Sequence, residues 1–251
     1  MYDNTCKFLA ETFPTDFATW LLGKPIPLTQ LKPSELSLEP IRADSVIFLQ
    51  SSAIILHIEF QTEPVEEIPF RMADYRLRLH RKFPQKEIQQ FVIYLTRSDS
   101  PLVFQTSFEA GKLTHEFNII RLWEQPTKIF QQYPGLLPLA VLTQTNNRIQ
   151  TLTEVAKQID NIEDRRIQSN VSAATAIISG LALKKEIIQR LLRSEIMRES
   201  VIYQEILLEG KAEGEAKEKT RIALNMLHSG IAVDLIAQLT GLSLEQIQKL
   251  R

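Results

Sequence analysis

Along the chain the spacing of apolar positions changes period, and each change marks a new element. From residue 3 to 22 the apolar groups fall at Cys6, Leu9, Phe13, Phe17, Trp20 and Leu21, steps of three and four that predict helix. Pro14 suits a helix start better than an interior, since it has no N–H and its ring clashes with the preceding turn. The segment reads as two short helices meeting near Phe13, the second stopped by Gly23-Lys24-Pro25. Residues 24–35, with Pro25, Pro27 and Pro33, read as connection.

The pattern then turns to strand. Leu36 to Ile41 is a candidate first strand. Ser45-Val46-Ile47-Phe48-Leu49 is nearly continuously apolar, as a strand covered on both faces would be. Gln50-Ser51-Ser52 supplies a tight turn, and Ala53 to Gln61 the next strand. Phe70 to Phe83 sets Met72, Tyr75, Leu79 and Phe83 near one face of a helix that Pro84 ends. Phe91 to Leu95 is another buried strand, and Phe104 to Phe108 with Glu116 to Leu122 predict a late hairpin turning at Gly111. This order predicts a mixed α/β domain over residues 1–145. Residues 146–208, almost free of Gly and Pro, read as a helical region. Residues 209–221 hold four acids and four bases without a large apolar group, a charged stalk. Residues 222–251 read as a C-terminal helical hairpin, in which Ser243 and Gln246 make a capping box and Leu242 staples to Ile247.

Composition narrows the function classes. Twenty-nine basic side chains against thirty acidic give a net charge of −1, so any nucleic-acid contact must be a local patch. One cysteine, Cys6, excludes an internal disulfide framework and every zinc pattern built on paired cysteines; on its apolar helix face it reads as core. His57, His80, His115 and His228 include no helical metal pair, and no Gly-rich phosphate loop is present. Met1 to Lys7 lacks the features of a secretory signal. The longest mostly apolar stretch, Val171 to Leu183, has thirteen residues where a membrane span needs about 20. The expectation is a cytoplasmic protein with no membrane partner.

Candidate chemistry gathers in the middle. Strand side chains alternate, so Glu59 and Gln61 share a face and Phe60 points away; His57 shares the face of Glu59 and reads as a core histidine. An antiparallel hairpin centred on Gln50 to Ala53 pairs residues whose numbers sum to about 103, which sets Asp44 opposite a residue near 59. Two carboxylates meeting at one end of a hairpin suit Mg²⁺, which keeps several waters and accepts one or two carboxylates. The competing reading has Asp44 as a turn cap and Glu59 paired with an arginine. Residues 71–86, the following helix and its end, hold Arg71, Arg76, Arg78, Arg81, Lys82 and Lys86 against Asp74 alone, a surplus of five positive charges (six less one). Arg71, Tyr75, Arg78 and Lys82 follow helical spacing, and such a face suits phosphate contacts that are salt-dependent and sequence-independent. It equally suits a solvated face paired with Glu63, Glu66 and Glu67.

Several pieces in this order resemble the PD-(D/E)XK nuclease superfamily, and within it the recombination-promoting nuclease (Rpn), transposase-like family in its cyanobacterial form. They are Asp3 with Lys7, Arg42-Ala43-Asp44, Ile58-Glu59-Phe60-Gln61-Thr62, Pro69-Phe70-Arg71-Met72-Ala73-Asp74-Tyr75, and Met197 to Ile206 followed by Glu-Gly repeats. The resemblance implies a restriction-endonuclease-like mixed-sheet core flanked by helices, with an all-helical C-terminal extension. It implies a magnesium-dependent DNA endonuclease of recombination, mobile elements or phage defence, with Asp44 and Glu59 as metal ligands. Gln61 stands where the superfamily carries lysine; a neutral amide orients water or a phosphate oxygen but supplies no charge. Lys7 or Arg71 is the candidate for that charge, and Asp3 or Glu11 for a third acidic contributor. The Gln61 departure motivates a second reading, an inactive nuclease-fold module that binds or assembles through its helical tail. A homodimer or higher homo-oligomer is expected, since cutting both strands needs two sites. The terminal hairpin, Ser229 to Leu250, fits an oligomerisation or partner contact, which its short final helix favours, or a small helix-turn-helix DNA reader offering Gln246, Gln248, Lys249 and Arg251.

Overall fold

A computed structural model describes residues 2–32 and 46–250. The expected first strand, Leu36 to Ile41, and Asp44 lie outside the described residues. The N-terminal pattern forms helices α1 (Tyr2–Thr12) and α2 (Pro14–Leu22), with Pro14 opening the second and Gly23 closing it at φ 69°, a left-handed conformation that favours glycine. Thr5, Cys6, Leu9 and Ala10 are the buried face of α1.

The main sheet has five strands in the order β1-β2-β3-β4-β7. They are β1 (Thr29–Gln30), β2 (Val46–Gln50), β3 (Ile54–Gln61), β4 (Glu87–Tyr94) and β7 (Asn118–Arg121). β1, β2 and β3 run antiparallel in turn, while β4 lies parallel to β3 and β7 parallel to β4. Strand β1 lies inside the segment expected to be pure connection; two residues are too few for periodicity to show. The β2–β3 turn is closed by the Ser51 N–H donating to Ile54 O at 2.9 Å, and the Ser51 hydroxyl accepts from the amides of Ala53 and Ile54. The register pairs Val46 with Glu59, a sum of 105 rather than 103, because the turn sits one residue later than expected.

Helix α3 (Ile68–Lys82) crosses from β3 to the parallel strand β4. It covers the sheet face that bears the odd positions of β3. Val46, Phe48, Ile55, Tyr75, Leu79 and Ile88 pack in one cluster on this face, and Met72, Val92, Tyr94 and Phe117 in a second. The opposite face carries Phe60, whose ring meets Phe17 of α2 edge-on at 6.2 Å. Sheet layers covered on both sides explain why β2 is apolar at nearly every position.

The late hairpin is displaced from its expected partners. Gly111, at φ 63°, turns β5 (Ser107–Ala110) into β6 (Leu113–Glu116), and the apolar run beyond Phe117 becomes β7 of the main sheet. Beyond α4 (Thr127–Phe130), a buried 3-10 turn over Leu137–Leu142 leads to α5 (Arg148–Asp160) and α6 (Arg165–Ser179), capped by the side chains of Asn147 and Asp164. Helices α7 (Lys185–Leu191) and α8 (Ser194–Met197) follow. One compact unit extends to Ile202, and a second begins at Tyr203. The compositional change after Asn147 therefore marks the start of α5 inside the first unit.

Gly135 ties the segment before the buried 3-10 turn to α2. Its N–H donates to Asp16 Oδ2 at 2.9 Å, against the burial that pushes that carboxyl up. A Cβ at this position would collide with Phe13 Cβ and lie 2.6 Å from Phe13 Cγ. Gly135→Ala is expected to cost about 1–3 kcal/mol by forcing this contact open, measured by urea unfolding.

The second unit is built on α9 (Val201–His228), which runs unbroken through Gly210 and Gly214, with α10 (Val233–Thr240) and α11 (Leu244–Gln248). The expected hairpin is a three-helix cluster, since Ala223 of α9 shares the core with Ile236 and Ile247. Leu242 and Ile247 are in that cluster, as the staple predicts.

Candidate functional site

The alternation of β3 places His57, Glu59 and Gln61 under α3. Glu59 is wholly buried. Its Oε2 accepts from the Arg71 guanidinium at 3.0 Å and from the Gln61 amide at 3.4 Å. Its Oε1 has no hydrogen-bond partner among the described residues, and neither has His57 Nε2, which lies 3.7 Å away. A separation of 3.7 Å is too long for a hydrogen bond. The competing sequence reading, Glu59 paired with an arginine, is thus observed for one of the two carboxylate oxygens.

Arg71 is the hub. It lies on the first turns of α3, 22% exposed, and its charge acts on Asp3 of α1 as well as Glu59. Burial pushes the Asp3 carboxyl up, and Arg71 opposes that push. Of the two candidate third acids, Asp3 is the one that senses Arg71. Glu11 instead accepts from Gln30 at 2.6 Å and senses Lys7 one turn away, while burial raises its carboxyl. Lys7 thus lies on the α1 stripe of Asp3, Lys7 and Glu11, with its charge acting on Glu11. Two tyrosines sense the carboxylate: burial, then the Glu59 charge, raises the phenols of both Tyr75 and Tyr94.

The basic stripe of α3 divides along its length. Arg71 and Tyr75 face the sheet, and Tyr75 is only 5% exposed. Arg78 pairs with Asp74 one turn back at 2.9 Å. Lys82 lies in the exposed last turn, with its ammonium 5.6 Å from the Phe83 ring centroid. A helix packed on a sheet buries one side, and the i, i+4 spacing that lines up Arg71 and Tyr75 is the spacing that buries them together.

Two contributors were not legible in the sequence. Tyr94 lies beside Gln61 in the parallel register, and Gln90 beside His57. The apolar run signalled the strand only from Phe91, because Gln89 and Gln90 interrupt it. Gln90 is nonetheless 3% exposed, a polar residue inside the strand.

A cation has a partial fit here. A buried carboxylate oxygen without a donor is the hard oxygen ligand that Mg²⁺ takes. Among the described residues no three His, Cys, Asp or Glu side chains converge as a ready metal cage. Glu59 is the described member of the expected pair, Asp44 being the other.

In the second unit, α10 ends at Thr240 and is capped by Gly241, at φ 70°; three residues separate Thr240 from Leu244, where α11 begins. Ser243 accepts from the Gln246 N–H while the Gln246 side chain accepts from the Ser243 N–H, the capping box the sequence predicts. Ser243→Ala is expected to cost about 1 kcal/mol at α11, seen as faster amide hydrogen exchange in that helix.

These features define a mixed α/β protein with a mixed sheet, followed by a helical unit of helix-turn-helix form. Residues 216–251 match the family model described as Rpn/YhgA-like nuclease family, C-terminal HTH domain. Neither the curated proteins nor the solved structures give a match. The family match supports the helix-turn-helix reading of the terminal hairpin, with the short α11 inside the matched segment. The match covers this C-terminal segment alone, which is similar to the C-terminal domain of a nuclease-related family. Among the described residues no helix is long and apolar enough to cross a membrane.

Proposed function

We propose that this protein is a magnesium-dependent DNA endonuclease of the PD-(D/E)XK type, with a restriction-endonuclease-like core and an Rpn-type helix-turn-helix that engages DNA. The observation that carries the reading is the buried Glu59 carboxylate at the end of β3, one oxygen held by Arg71 and Gln61 and the other open. The antiparallel β2–β3 hairpin followed by a helical crossover to parallel β4 supports it, as does the family match of residues 216–251.

Glu59 and Asp44 would hold the metal. When bound, Mg²⁺ neutralises charge on a phosphodiester and lowers the pKa of a water. Gln61 donates one amide hydrogen to Glu59 Oε2 and keeps its carbonyl oxygen as an acceptor that orients a water. Arg71 supplies the positive charge that glutamine lacks, while Tyr75 and Tyr94 keep solvent from Glu59. Lys82 and Arg78 contact the DNA backbone from the outer turns of α3, and Lys7 adds positive charge from α1. The protein works in the cytoplasm as a homodimer or higher homo-oligomer, in recombination, mobile-element turnover or phage defence; light scattering on the purified chain tests the assembly.

Plasmid nicking with Mg²⁺ tests the function: wild type nicks, and Asp44→Ala and Glu59→Ala do not. Equal nicking by all three overturns the assignment. A second reading, an inactive DNA-binding module, is favoured by one observation, the Arg71 guanidinium already seated on Glu59. Gel-shift binding by wild type without cleavage in any divalent metal selects it.

A further inference from the structure

A line of polar side chains runs from half-buried His115 on β6 through buried Gln90 and His57 to Glu59. The Gln90 side-chain nitrogen lies 2.9 Å from Met72 O and 2.9 Å from His57 Nδ1. A backbone carbonyl only accepts, so this end of the amide is its NH₂ end, and its second hydrogen goes to His57 Nδ1. Nδ1 therefore accepts. A protonated Nδ1 would set two donors against each other at this distance. The remaining ring proton sits on Nε2, the atom that faces Glu59 Oε1 at 3.7 Å. At the far end Gln90 Oε1 accepts from His115 Nε2 at 2.8 Å. Every donor in the series points the same way: His115 to Gln90, Gln90 to His57, His57 toward Glu59. Hydrogen bonds aligned head to tail polarise one another.

The ring is also held by packing. His57 is fully buried, 4.8 Å from the Phe48 ring and 5.3 Å, edge-on, from Tyr75. Its Nε2 has no hydrogen-bond acceptor among the described residues other than the direction of Glu59. A buried donor and a buried acceptor facing each other without a bond gain most from a small approach.

We propose that His57 is a positioning residue for Glu59: Gln90 and the Met72 carbonyl hold it as the Nε2–H tautomer, and its N–H steers Oε1 while Arg71 holds Oε2. The carboxylate is thereby fixed from both sides, and Oε1 keeps a lone pair for the cation. The proposal deepens the nuclease reading and rests on it for its catalytic consequence.

The test uses the full chain with ¹⁵N-labelled histidine and ¹³C-labelled glutamate. Long-range ¹H–¹⁵N correlation at neutral pH should show His57 protonated at Nε2 and bare at Nδ1. A proton at Nδ1, alone or with Nε2, overturns the proposal. The Glu59 carboxyl ¹³C resonance should shift in His57→Phe, which removes the donor. It should return toward the wild-type position in His57→Gln, whose amide nitrogen reaches the place of Nε2. An unmoved resonance in His57→Phe overturns it. Mg²⁺-dependent nicking should fall on the order of 10–100-fold in His57→Phe, the usual loss when a partner of a metal ligand is removed, and His57→Gln should recover most of it. Gln90→Met, which acts on His57 without touching Glu59, should give a mixture of tautomers; a pure Nε2–H form in that variant overturns the role given to Gln90. If the resonances behave as expected and wild type does not nick DNA, the nuclease reading fails and the positioning of Glu59 stands.

Discussion

Glu59→Gln should abolish Mg²⁺-dependent plasmid nicking while the chain stays folded. The substitution keeps the shape of the side chain and an oxygen for Arg71, but removes the negative charge that a hard cation needs. Loss of one such electrostatic contributor lowers turnover at least on the order of 10²-fold. The cost in stability is smaller. Arg71 loses a charged partner at 3.0 Å but keeps a neutral acceptor, part of its exposure to water and the nearby Asp3. A change of about 1 kcal/mol is expected, the difference between a charged and a neutral hydrogen-bond partner. Glu59→Ala is a harsher test, since it strands the guanidinium against a cavity, so its loss of nicking must be read beside a melting curve. Nicking by Glu59→Gln at the wild-type rate would remove Glu59 from the chemistry.

Phe60→Ala should do the reverse. Phe60 is the next residue, 1% exposed, on the other face of the same central strand, with its ring edge-on to Phe17. Removing it deletes a fully buried ring and leaves a cavity that α2 and β3 cannot close, at a cost of about 3–5 kcal/mol. Urea unfolding of the full chain measures this as a lower midpoint. The polar face with Glu59, Gln61 and Arg71 lies across the sheet, so nicking per folded molecule should hold at temperatures where the variant is folded. A variant that unfolds like wild type would mean that the α2–sheet layer is not packed as described. The pair of substitutions separates the two faces of one strand, one carrying the site and the other the core.

Local chemistry accounts for what could be read without coordinates. Pro14 and Gly23 bound α2 because one lacks an N–H and the other tolerates positive φ. The Ser243–Gln246 box formed as predicted, and Leu242 and Ile247 share one cluster, since a cap needs only residues a turn apart. Period-two alternation was enough to put Glu59 and Gln61 on one face and Phe60 on the other, and Gln61 does reach Glu59.

Longer-range features were not readable in this way. The β2–β3 register differed by a residue, because the position of a turn is decided by hydrogen bonds such as Ser51 N–H to Ile54 O. The late hairpin and β7 were exchanged, since a run of apolar residues does not say which strand it pairs with. The basic helix showed its charge count in the sequence, but packing decided that Arg71 turns inward to Glu59 and that Arg78 pairs with Asp74.

By itself, then, the sequence determined the element types, their caps and the face on which Glu59, Gln61 and His57 lie, because these depend on neighbours within a turn or two of the chain. Only the tertiary structure decided that Gln90, thirty-three residues from His57 in sequence, hydrogen-bonds it. It alone set Arg71 on the Glu59 carboxylate, Tyr75 and Tyr94 within reach of that charge, and Asp3 within reach of Arg71. The physical reason is that a buried charge draws its partners from whichever elements pack against it, and those contacts leave no period in the sequence.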